Sequence, residues 1–285
     1  MTPTPSQFGK TRYVESDWQD ALAASEAGDM DNWISFKGTD PISDVPGDPS
    51  TVYRIKTGRG NLVFKRFVPR SPWRYLLRQS RTSNEWAGLK AFRDAGFKTP
   101  ELVASGEDRR WGGLKAGYIV TREIPGALDL ASWYARNIHA LDDDARRKET
   151  AALVSGIVGM VQRAHRKGLF HRDLVWRNIL VTEAGGEREF WLIDCPRFTD
   201  SGVNRKHSAL VDLAGLGRVA LSVLSLPVRY RALLLYCDGD RIKARTLFRE
   251  IMAHYARSKH PPRRFDPQTC TYSPFADGYF SSVGR

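Results

Sequence analysis

The chain has 285 residues, of which 41% are hydrophobic and 27% are charged, a composition typical of a globular protein. No stretch is apolar enough to span a bilayer, because the best candidate, Val219–Leu226, is too short and directly follows Arg218. Lysine and arginine (44) outnumber aspartate and glutamate (32) by 12, so we expect an anionic partner such as nucleic acid, anionic lipid or a phosphorylated sugar; the alternative is that the surplus serves only solubility.

The amino terminus and the cysteines indicate a cytoplasmic protein. The first residues, Met-Thr-Pro-Thr-Pro-Ser, lack the basic and then apolar pattern of a signal peptide, and we expect residues 1–12 to be loose. The three cysteines, Cys195, Cys237 and Cys270, are odd in number and do not have the spacing of metal ligands. A reducing compartment is therefore the expected location.

Two strands are predicted early in the chain, Val52–Lys56 and Leu62–Phe67, joined by a turn with the composition of a hairpin connection. Lys65 lies within the second strand. A lysine there is costly unless its ammonium group meets anions, so Lys65 either binds an anionic ligand or faces solvent from an edge strand. The preceding loop, Gly38–Ser50, has no Gly-x-Gly-x-x-Gly pattern, and we interpret it as an ordinary connection.

A basic segment follows, in which Arg70, Arg74 and Arg78 recur every four residues. We predict a basic amphipathic helix over residues 70–81, with Trp73, Leu76 and Leu77 on another face. Such a helix suits a membrane surface or an anionic ligand, but it is equally consistent with a solvated helix docked through Trp73 and Leu77.

The next helix is predicted over Asn84–Phe92 and contains Glu85, 20 residues after Lys65. This carboxylate either pairs with Lys65 or completes a capping box with Thr82. Strands are predicted at Leu102–Ala104 and Gly117–Thr121, and the following Pro-Gly pair is typical of a hinge between two lobes. A long amphipathic helix is predicted over Arg146–Lys167.

The strongest pattern in the chain begins at His171-Arg172-Asp173, with Asn178 five residues after the aspartate and Asp194 at the end of an apolar strand. This layout is typical of a kinase catalytic loop followed by a metal-binding aspartate. In phosphoryl transfer a carboxylate orients and deprotonates the attacking hydroxyl, which is the predicted role of Asp173. Amide and carboxylate oxygens, here those of Asn178 and Asp194, hold Mg²⁺ on the phosphates of ATP.

A buried helix is predicted over Ser208–Leu226, with Asp212 as its exceptional charged residue. We interpret Asp212, together with His171, as structural support for the catalytic loop, because a buried carboxylate needs hydrogen-bond donors. An alternative is that Asp212 only complements the helix dipole. Two more helices are predicted within residues 229–255, followed by an irregular tail.

These residues occur in kinase order, which favours the pairing of Lys65 with Glu85 over its alternatives. We therefore predict an α+β, bilobal protein-kinase-like fold. Residues 1–125 would form an N-terminal lobe of antiparallel sheet plus helix, residues 126–258 a mostly helical C-terminal lobe, and residues 259–285 an irregular tail.

Several departures argue against a protein substrate. Val175-Trp176-Arg177 replaces the Lys-Pro-Glu that follows the catalytic Asp-Leu in ordinary protein kinases, and Cys195-Pro196 replaces the Phe-Gly after the metal-binding aspartate. Asp212 follows Asp194 by only 18 positions, which leaves little room for an activation loop and a peptide-docking platform.

One known family shares these features. The run Arg-Ser-Pro-Trp-Arg-Tyr-Leu-Leu-Arg, then Asn-Glu-Trp, then Gly-Phe-Lys-Thr-Pro-Glu-Leu-Val-Ala-Ser-Gly-Glu resembles the lipopolysaccharide kinase (Kdo/WaaP) family, as do His-Arg-Asp, Leu-Ile-Asp and Val-Asp-Leu-Ala. The resemblance covers roughly Val52 to Ser225. It implies ATP-dependent phosphorylation of a sugar hydroxyl, on heptose or Kdo, in the inner core of lipopolysaccharide at the cytoplasmic face of the inner membrane.

By the same resemblance, Asp173 is the base, Lys65 and Glu85 are the pair that holds the nucleotide phosphates, and Asn178 and Asp194 are the Mg²⁺ ligands. The core oligosaccharide carries carboxylates and phosphates, which gives the excess of basic residues a use. The candidate substrate-binding residues are Arg74, Arg78, Arg177 and Arg197.

Two other functions fit part of the pattern. A phosphotransferase for a soluble small molecule has the same fold, although those enzymes tend to place a small residue where Arg172 stands. A pseudokinase that serves as a binding or scaffold protein at the envelope is the other, although a dead site need not keep Lys65, Asp173, Asn178 and Asp194. No nucleic-acid-binding motif is present, and we expect no nucleic-acid partner.

Overall fold

The computed structural model describes residues 9–28, 33–43, 48–76, 78–200, 204–258 and 261–275. The chain divides into two compact units. The first contains Met1–Asp94, Thr99–Pro125 and Cys195–Arg197, and the second contains Ala95–Lys98, Gly126–Asp194 and Phe198–Arg285.

The first unit is built on one antiparallel sheet of six strands, in the order β1-β5-β6-β4-β3-β2. The strands are β1 (Gly9–Val14), β2 (Asp40–Ser43), β3 (Ser50–Thr57), β4 (Gly60–Phe67), β5 (Leu102–Arg110) and β6 (Gly113–Arg122). Part of the terminus that was expected to be loose is thus a strand, because residues 9–14 pair with β5 along their whole length. The two helices are α1 (Gln19–Ala23) and α2 (Arg81–Asp94).

One face of this sheet carries the apolar core of the unit. Alternate residues of β4, Leu62 and Phe64, are fully buried there, and Phe64 stacks on Tyr118 of β6 with ring centroids 5.7 Å apart. Trp18 and Trp33, from the segment between β1 and β2, belong to the same core. Because successive side chains of a strand point to opposite faces, Lys65 lies on the other face. Its strand is flanked by β3 and β6, so the alternative of an edge-strand lysine is wrong.

The predicted basic helix over residues 70–81 does not form. Among the described residues of this segment, Pro72–Tyr75 forms a single 3₁₀ turn and α2 begins at Arg81, while Leu77 lies outside the described residues. Two causes are visible. Ser71 precedes a proline, which disfavours helical backbone, and it is extended with φ −138° and ψ 115°. The carbonyl groups of Tyr75 and Arg78 also accept hydrogen bonds from the side chain of Arg109 instead of continuing a helix.

The second unit is mostly helical. Its helices are α3 (Leu130–Asn137), α4 (Asp143–Arg166), α5 (Arg205–Val223), α6 (Leu226–Tyr236) and α7 (Arg241–Arg257). Its strands are β7 (Leu128–Asp129), β8 (Ile179–Ala184) and β9 (Glu187–Leu192), which form one sheet, and the pair β10 (Arg263–Asp266) and β11 (Thr271–Pro274).

Helix α4 begins three residues before the predicted start because Asp142 caps it, accepting hydrogen bonds from two backbone N–H groups of the first turn. Its predicted apolar face, which includes Leu153, Ile157 and Met160, is buried. In the described ranges, no helix has the length and apolar character needed to cross a membrane.

The tail is more ordered than predicted. Strands β10 and β11 form an antiparallel hairpin, with Arg263 opposite Pro274 and Asp266 opposite Thr271. Its turn is closed by Asp266, whose carboxylate accepts from the backbone N–H of Gln268 at 2.9 Å. The ring of Phe265 is buried, which fixes the hairpin to the second unit. The rest of the predicted tail, residues 259–260 and 276–285, lies outside the described residues.

Candidate active site

Asp212 holds the catalytic loop from within α5. Its two carboxylate oxygens accept the backbone N–H groups of His171 at 2.9 Å and of Arg172 at 2.6 Å. The side chain is completely buried. A buried carboxylate is costly without such donors. The Asp212 side chain and the loop backbone 40 residues earlier therefore stabilise each other.

A second histidine completes this arrangement. The Nε2 of His165, in the last turn of α4, lies 3.1 Å from the Asp212 carboxylate, which can only accept. Its Nδ1 lies 2.8 Å from the hydroxyl of Tyr236, which donates to it when the imidazole is neutral. Burial, with the nearby Cys237 and Asp212, raises the pKa of Tyr236 to about 12, so this hydroxyl keeps its proton at neutral pH. Sequence reasoning missed His165, since basic residues are common at helix ends.

Helix α5 also contacts the loop through its backbone. A Cβ atom at Gly215 would overlap the carbonyl oxygen of Leu174, so glycine is required for this close approach. One residue further on, the carbonyl group of Leu216 accepts from the indole N–H of Trp176 at 2.9 Å. The loop residues on both sides of Asp173 are therefore fixed by α5.

The loop in turn positions the other predicted residues of the second unit. Asn178 donates from its side-chain amide to the carbonyl oxygen of Asp173 at 2.8 Å. The imidazole Nε2 of His171 donates to the carbonyl oxygen of Ile193 at 2.9 Å, beside Asp194. The structure thus brings His171, Asp173, Asn178 and the end of the strand that precedes Asp194 into one hydrogen-bonded group.

Two residues adjacent to this group have left-handed backbone conformations, Arg172 with φ 61° and Asp194 with φ 55°. Residues other than glycine rarely adopt this region, and they tend to cluster at functional sites when they do.

The donor set suits magnesium. The side-chain N–H₂ of Asn178 donates to the carbonyl oxygen of Asp173, which leaves the side-chain oxygen available to a metal ion. Amide and carboxylate oxygens, such as those of Asn178 and Asp194, are the ligands that Mg²⁺ prefers, commonly with phosphate oxygens and water completing its shell. Across the ranges that the structure describes, no cluster of three or more His, Cys, Asp or Glu side chains forms an all-protein metal site.

In the first unit, Lys65 and Glu85 form an ion pair, with Nζ and Oε2 2.9 Å apart. The Glu85 side chain is buried, and the thiol of Cys195 lies 3.7 Å from its backbone carbonyl oxygen. The first turn of α2 is capped by Ser80, whose hydroxyl oxygen accepts the backbone N–H of Ser83.

Five arginines line one cavity of about 580 Å³ in the first unit, which we call the arginine cavity. They are Arg70, Arg74, Arg78, Arg81 and Arg197. No carboxylate lines this cavity, and within the described part of the chain none of the five guanidinium groups is in an ion pair. The predicted residues Arg74, Arg78 and Arg197 are thus brought together, although not by a helix.

Buried Arg109 fixes the segment that carries these arginines. Its guanidinium group donates to the carbonyl oxygens of Tyr75 at 3.0 Å, Gly112 at 3.1 Å and Arg78 at 2.8 Å. Its Nε pairs with the buried carboxylate of Glu107 at 2.7 Å. No periodicity in the sequence indicated this role, because two of the carbonyl partners, those of Tyr75 and Arg78, lie more than 30 residues earlier in the chain.

Arg177, the remaining predicted substrate residue, lies in the second unit. It is exposed and lines another cavity, of about 440 Å³, whose wall includes Asp173. We call this the Asp173 cavity and define it by Asp173, Arg177, Arg218, Arg263, Cys270 and Tyr272.

Comparison with known proteins gives the family. Residues 51–232 match the profile of the lipopolysaccharide kinase (Kdo/WaaP) family, which is more than half of the chain. The protein belongs to this family. The resemblance seen in the sequence is thereby confirmed, and the protein is a lipopolysaccharide kinase, a phosphotransferase with an alcohol group as acceptor.

The solved structure of WaaP supports the fold of this lipopolysaccharide kinase. The chain is similar to WaaP in a complex of WaaP with acyl carrier protein, with TM-score 0.62 and 19% identity over 86% of this chain and 99% of that one. It is also similar to the Rio2 kinase of Chaetomium thermophilum, with TM-score 0.46 and 17% identity over 73% of this chain and 71% of that one. The predicted α+β kinase-like fold is confirmed. Among curated proteins there is no significant match.

Replacement of Asp212 by asparagine tests how the catalytic loop is held. The new amide group would place a donor against one of the two backbone N–H groups that now share the carboxylate. We expect unfolding free energy to fall by about 1–3 kcal/mol, the cost of an unsatisfied buried donor, with a large loss of kcat. Denaturant unfolding and turnover measure both. Asp238→Asn, at an exposed ion pair, is the control that should behave as wild type. Normal stability and turnover of D212N would contradict this account.

Replacement of Arg109 by methionine tests the support of the arginine cavity. It leaves Glu107 buried without its cation and removes the donor from three carbonyl groups, so we expect a loss of about 3–5 kcal/mol in unfolding free energy. The neighbouring Arg110 is exposed, and Arg110→Met is the matched control. Equal urea midpoints for the two variants would show that Arg109 does not stabilise the segment that contains Tyr75 and Arg78.

Proposed function

We propose that this lipopolysaccharide kinase transfers the γ-phosphoryl group of ATP to a hydroxyl of heptose or Kdo in the inner core, with Asp173 as the general base. The observation that carries the proposal is the placement of Asp173. The backbone on both sides of it is held by α5, its own carbonyl oxygen accepts from Asn178, and the residue lines a cavity that also presents arginines. A fixed carboxylate at the wall of a cationic cavity is what an anionic sugar needs to lose a hydroxyl proton during transfer.

Four side chains are the proposed contacts for the nucleotide and its metal ion. Lys65 is the phosphate-binding cation, and the carboxylate of Glu85 keeps its ammonium group oriented. Asn178 and Asp194 are the proposed Mg²⁺ ligands. ATP with Mg²⁺ supplies the activated phosphoryl group and neutralises the charge that develops on it during transfer.

The arginine cavity is the proposed contact for the acidic groups of the acceptor. Unpaired guanidinium groups repel one another, so five of them around one cavity favour a ligand that brings several negative charges. Arg74, Arg78 and Arg197 present forked donors that match carboxylates and phosphates. Arg177, on the wall of the Asp173 cavity, is the proposed contact nearer the reacting hydroxyl.

Peripheral contact with the inner membrane is proposed from exposed apolar side chains in the same part of the first unit. Trp73 is 60% exposed and Leu76 is 43% exposed, both in the segment that carries the arginines. Trp111, in the β5–β6 turn, is 68% exposed. This turn lies beside the same segment, because the Arg109 guanidinium donates both to the carbonyl oxygen of Gly112 in the turn and to that of Tyr75. Exposed tryptophan beside arginine is typical of a surface that meets lipid head groups. We propose a cytoplasmic enzyme that approaches its lipid-anchored acceptor at this surface.

Asp173→Asn tests the reaction. Loss of the general base should lower kcat by about 10²–10⁴-fold, and the purified variant should keep its fold because the loop is held through backbone groups. In cells lacking the gene, mass spectrometry of the core should show the loss of one phosphate, which the wild type restores and D173N does not. Asp200→Asn, an exposed aspartate, is the control that should restore it. A core unchanged by loss of the gene would contradict the proposed function.

Arg74→Glu with Arg78→Glu tests the use of the arginine cavity. Reversal of two charges should raise KM for lipopolysaccharide by at least roughly tenfold through like-charge repulsion, while KM for ATP stays unchanged. Sedimentation with anionic vesicles that lack lipopolysaccharide distinguishes binding of the sugar by these arginines from binding of the membrane. If the double variant loses vesicle binding but keeps its KM for delipidated core, the arginines bind the membrane and not the sugar. If the double variant matches the wild type in both KM and vesicle sedimentation, neither the sugar-binding nor the membrane-binding role of these arginines holds.

A further inference from the structure

The hairpin β10–β11 forms one wall of the Asp173 cavity. Arg263, Cys270 and Tyr272 come from this hairpin and its turn, whereas Asp173 and Arg177 come from the catalytic loop and Arg218 from α5. Most of these residues lie far apart in sequence, so the cavity exists only because the hairpin returns to the catalytic loop. This is the part of the chain that was expected to be irregular.

The hairpin is firmly attached. The backbone N–H of Phe265 donates to the hydroxyl of Ser222 on α5 at 3.0 Å, and the Phe265 side chain is buried. The rings of Phe265 and Tyr272 lie 5.0 Å apart, and Arg263 donates to the carbonyl oxygen of Tyr272 at 2.8 Å. The Tyr272 ring is therefore held in place while 41% of the residue remains exposed, which leaves it available to a ligand.

The charge of the cavity favours an anion. Within the ranges that the structure describes, Arg177, Arg218 and Arg263 are not in ion pairs, and the Nε of Arg218 is buried without a hydrogen-bond partner. The cavity also contains Asp129, but its carboxylate is already used as the cap of α3, accepting from Ala131 and Ser132. The second carboxylate residue of the cavity is Asp173, the proposed base for the acceptor hydroxyl.

Tyr272 suits a sugar. Its aromatic face can carry the apolar face of a sugar ring, and its hydroxyl is a donor at neutral pH. Burial and the nearby Asp129 raise the pKa of Tyr272, against the smaller opposing effect of Arg177. Asp129, Arg177 and Tyr272 all line this one cavity.

We propose that the hairpin β10–β11 is the acceptor-recognition element of this enzyme: Tyr272 supports the sugar ring, and Arg218 and Arg263 bind an anionic substituent of the acceptor beside Asp173. The proposal rests on the proposed function and adds the residues that select the acceptor. In the transfer, the acceptor oxygen bonds to the γ-phosphorus as the bond from phosphorus to ADP breaks, and the proton of that hydroxyl passes to Asp173. A carboxylate and a phosphate share the chemistry that these arginines recognise.

Kinetics with lipopolysaccharide core test the residues. Arg263→Gln and Tyr272→Ala should raise KM for the core by roughly 10- to 100-fold, as expected for the loss of a charge-assisted hydrogen bond or a stacking platform, with a smaller change in kcat. Tyr272→Phe, which keeps the ring, should fall between Tyr272→Ala and the wild type. Arg264→Gln is the matched control, since Arg264 neighbours Arg263 on the same strand but does not line the cavity. KM values equal to that of the control would overturn the proposal.

Alkylation of Cys270 tests the location without any turnover. Cys270 is exposed on the cavity wall, whereas Cys195 is buried and Cys237 lies outside the cavity. With wild-type enzyme and iodoacetamide, lipopolysaccharide core should slow the alkylation of Cys270 but not of Cys237, as followed by peptide mass spectrometry. Dephosphorylated core retains only carboxylates and carboxyl-reduced core retains only phosphates, so the form that still protects identifies the anion. Absence of protection by unmodified core would overturn the proposal.

The two tests separate this proposal from the proposed function. Protection of Cys270 without phosphorylation of the core would overturn the function and leave the binding site supported. Normal phosphorylation without protection, and with variants that match Arg264→Gln, would overturn the hairpin's role alone. Thermal unfolding of each variant shows whether a raised KM comes from a lost contact or from a detached hairpin.

Discussion

A single buried carboxylate, that of Asp212, carries the geometry of the candidate active site. Burying it is favourable only because two backbone N–H groups of the catalytic loop and the imidazole of His165 surround it. The same contacts place Asp173, whose carbonyl group then orients Asn178. Support for the reacting residues therefore comes from the interior of the helical unit, where water cannot compete for the hydrogen bonds.

Arginine has two distinct uses in this molecule. Arg109 is buried, paired and saturated with backbone acceptors, and it shapes the chain around it. The arginines of the arginine cavity and of the Asp173 cavity instead have no acidic partners in the described residues, so they cost stability through mutual repulsion. Such clusters fit a protein whose ligand brings the missing negative charge, which is how the excess of 12 basic residues becomes useful.

Much of the fold was predictable from the sequence because it depends on local patterns. Strand alternation around Lys65, the spacing to Glu85, and the His-Arg-Asp loop with Asn178 and Asp194 all follow from residue type and order. The errors arose where distant backbone groups decide the structure. Four-residue spacing of arginines predicted a helix, but a proline and the carbonyl contacts of Arg109 prevent it. The hairpin near the carboxyl end was missed because its stability comes from Phe265 packing at a site made by α5.

The dependence of the catalytic loop on α5 has a consequence for synthesis of the protein. The loop around Asp173 leaves the ribosome about 40 residues before the carboxylate that fixes it, and about 100 before Tyr272 completes the proposed sugar-binding wall. A nascent chain that stops before α5 holds Asp173, Asn178 and Asp194 but lacks the Asp212 carboxylate that accepts the backbone N–H groups of the loop. Release of the chain before α5 is made therefore leaves the catalytic loop without the buried carboxylate that holds it in the complete structure.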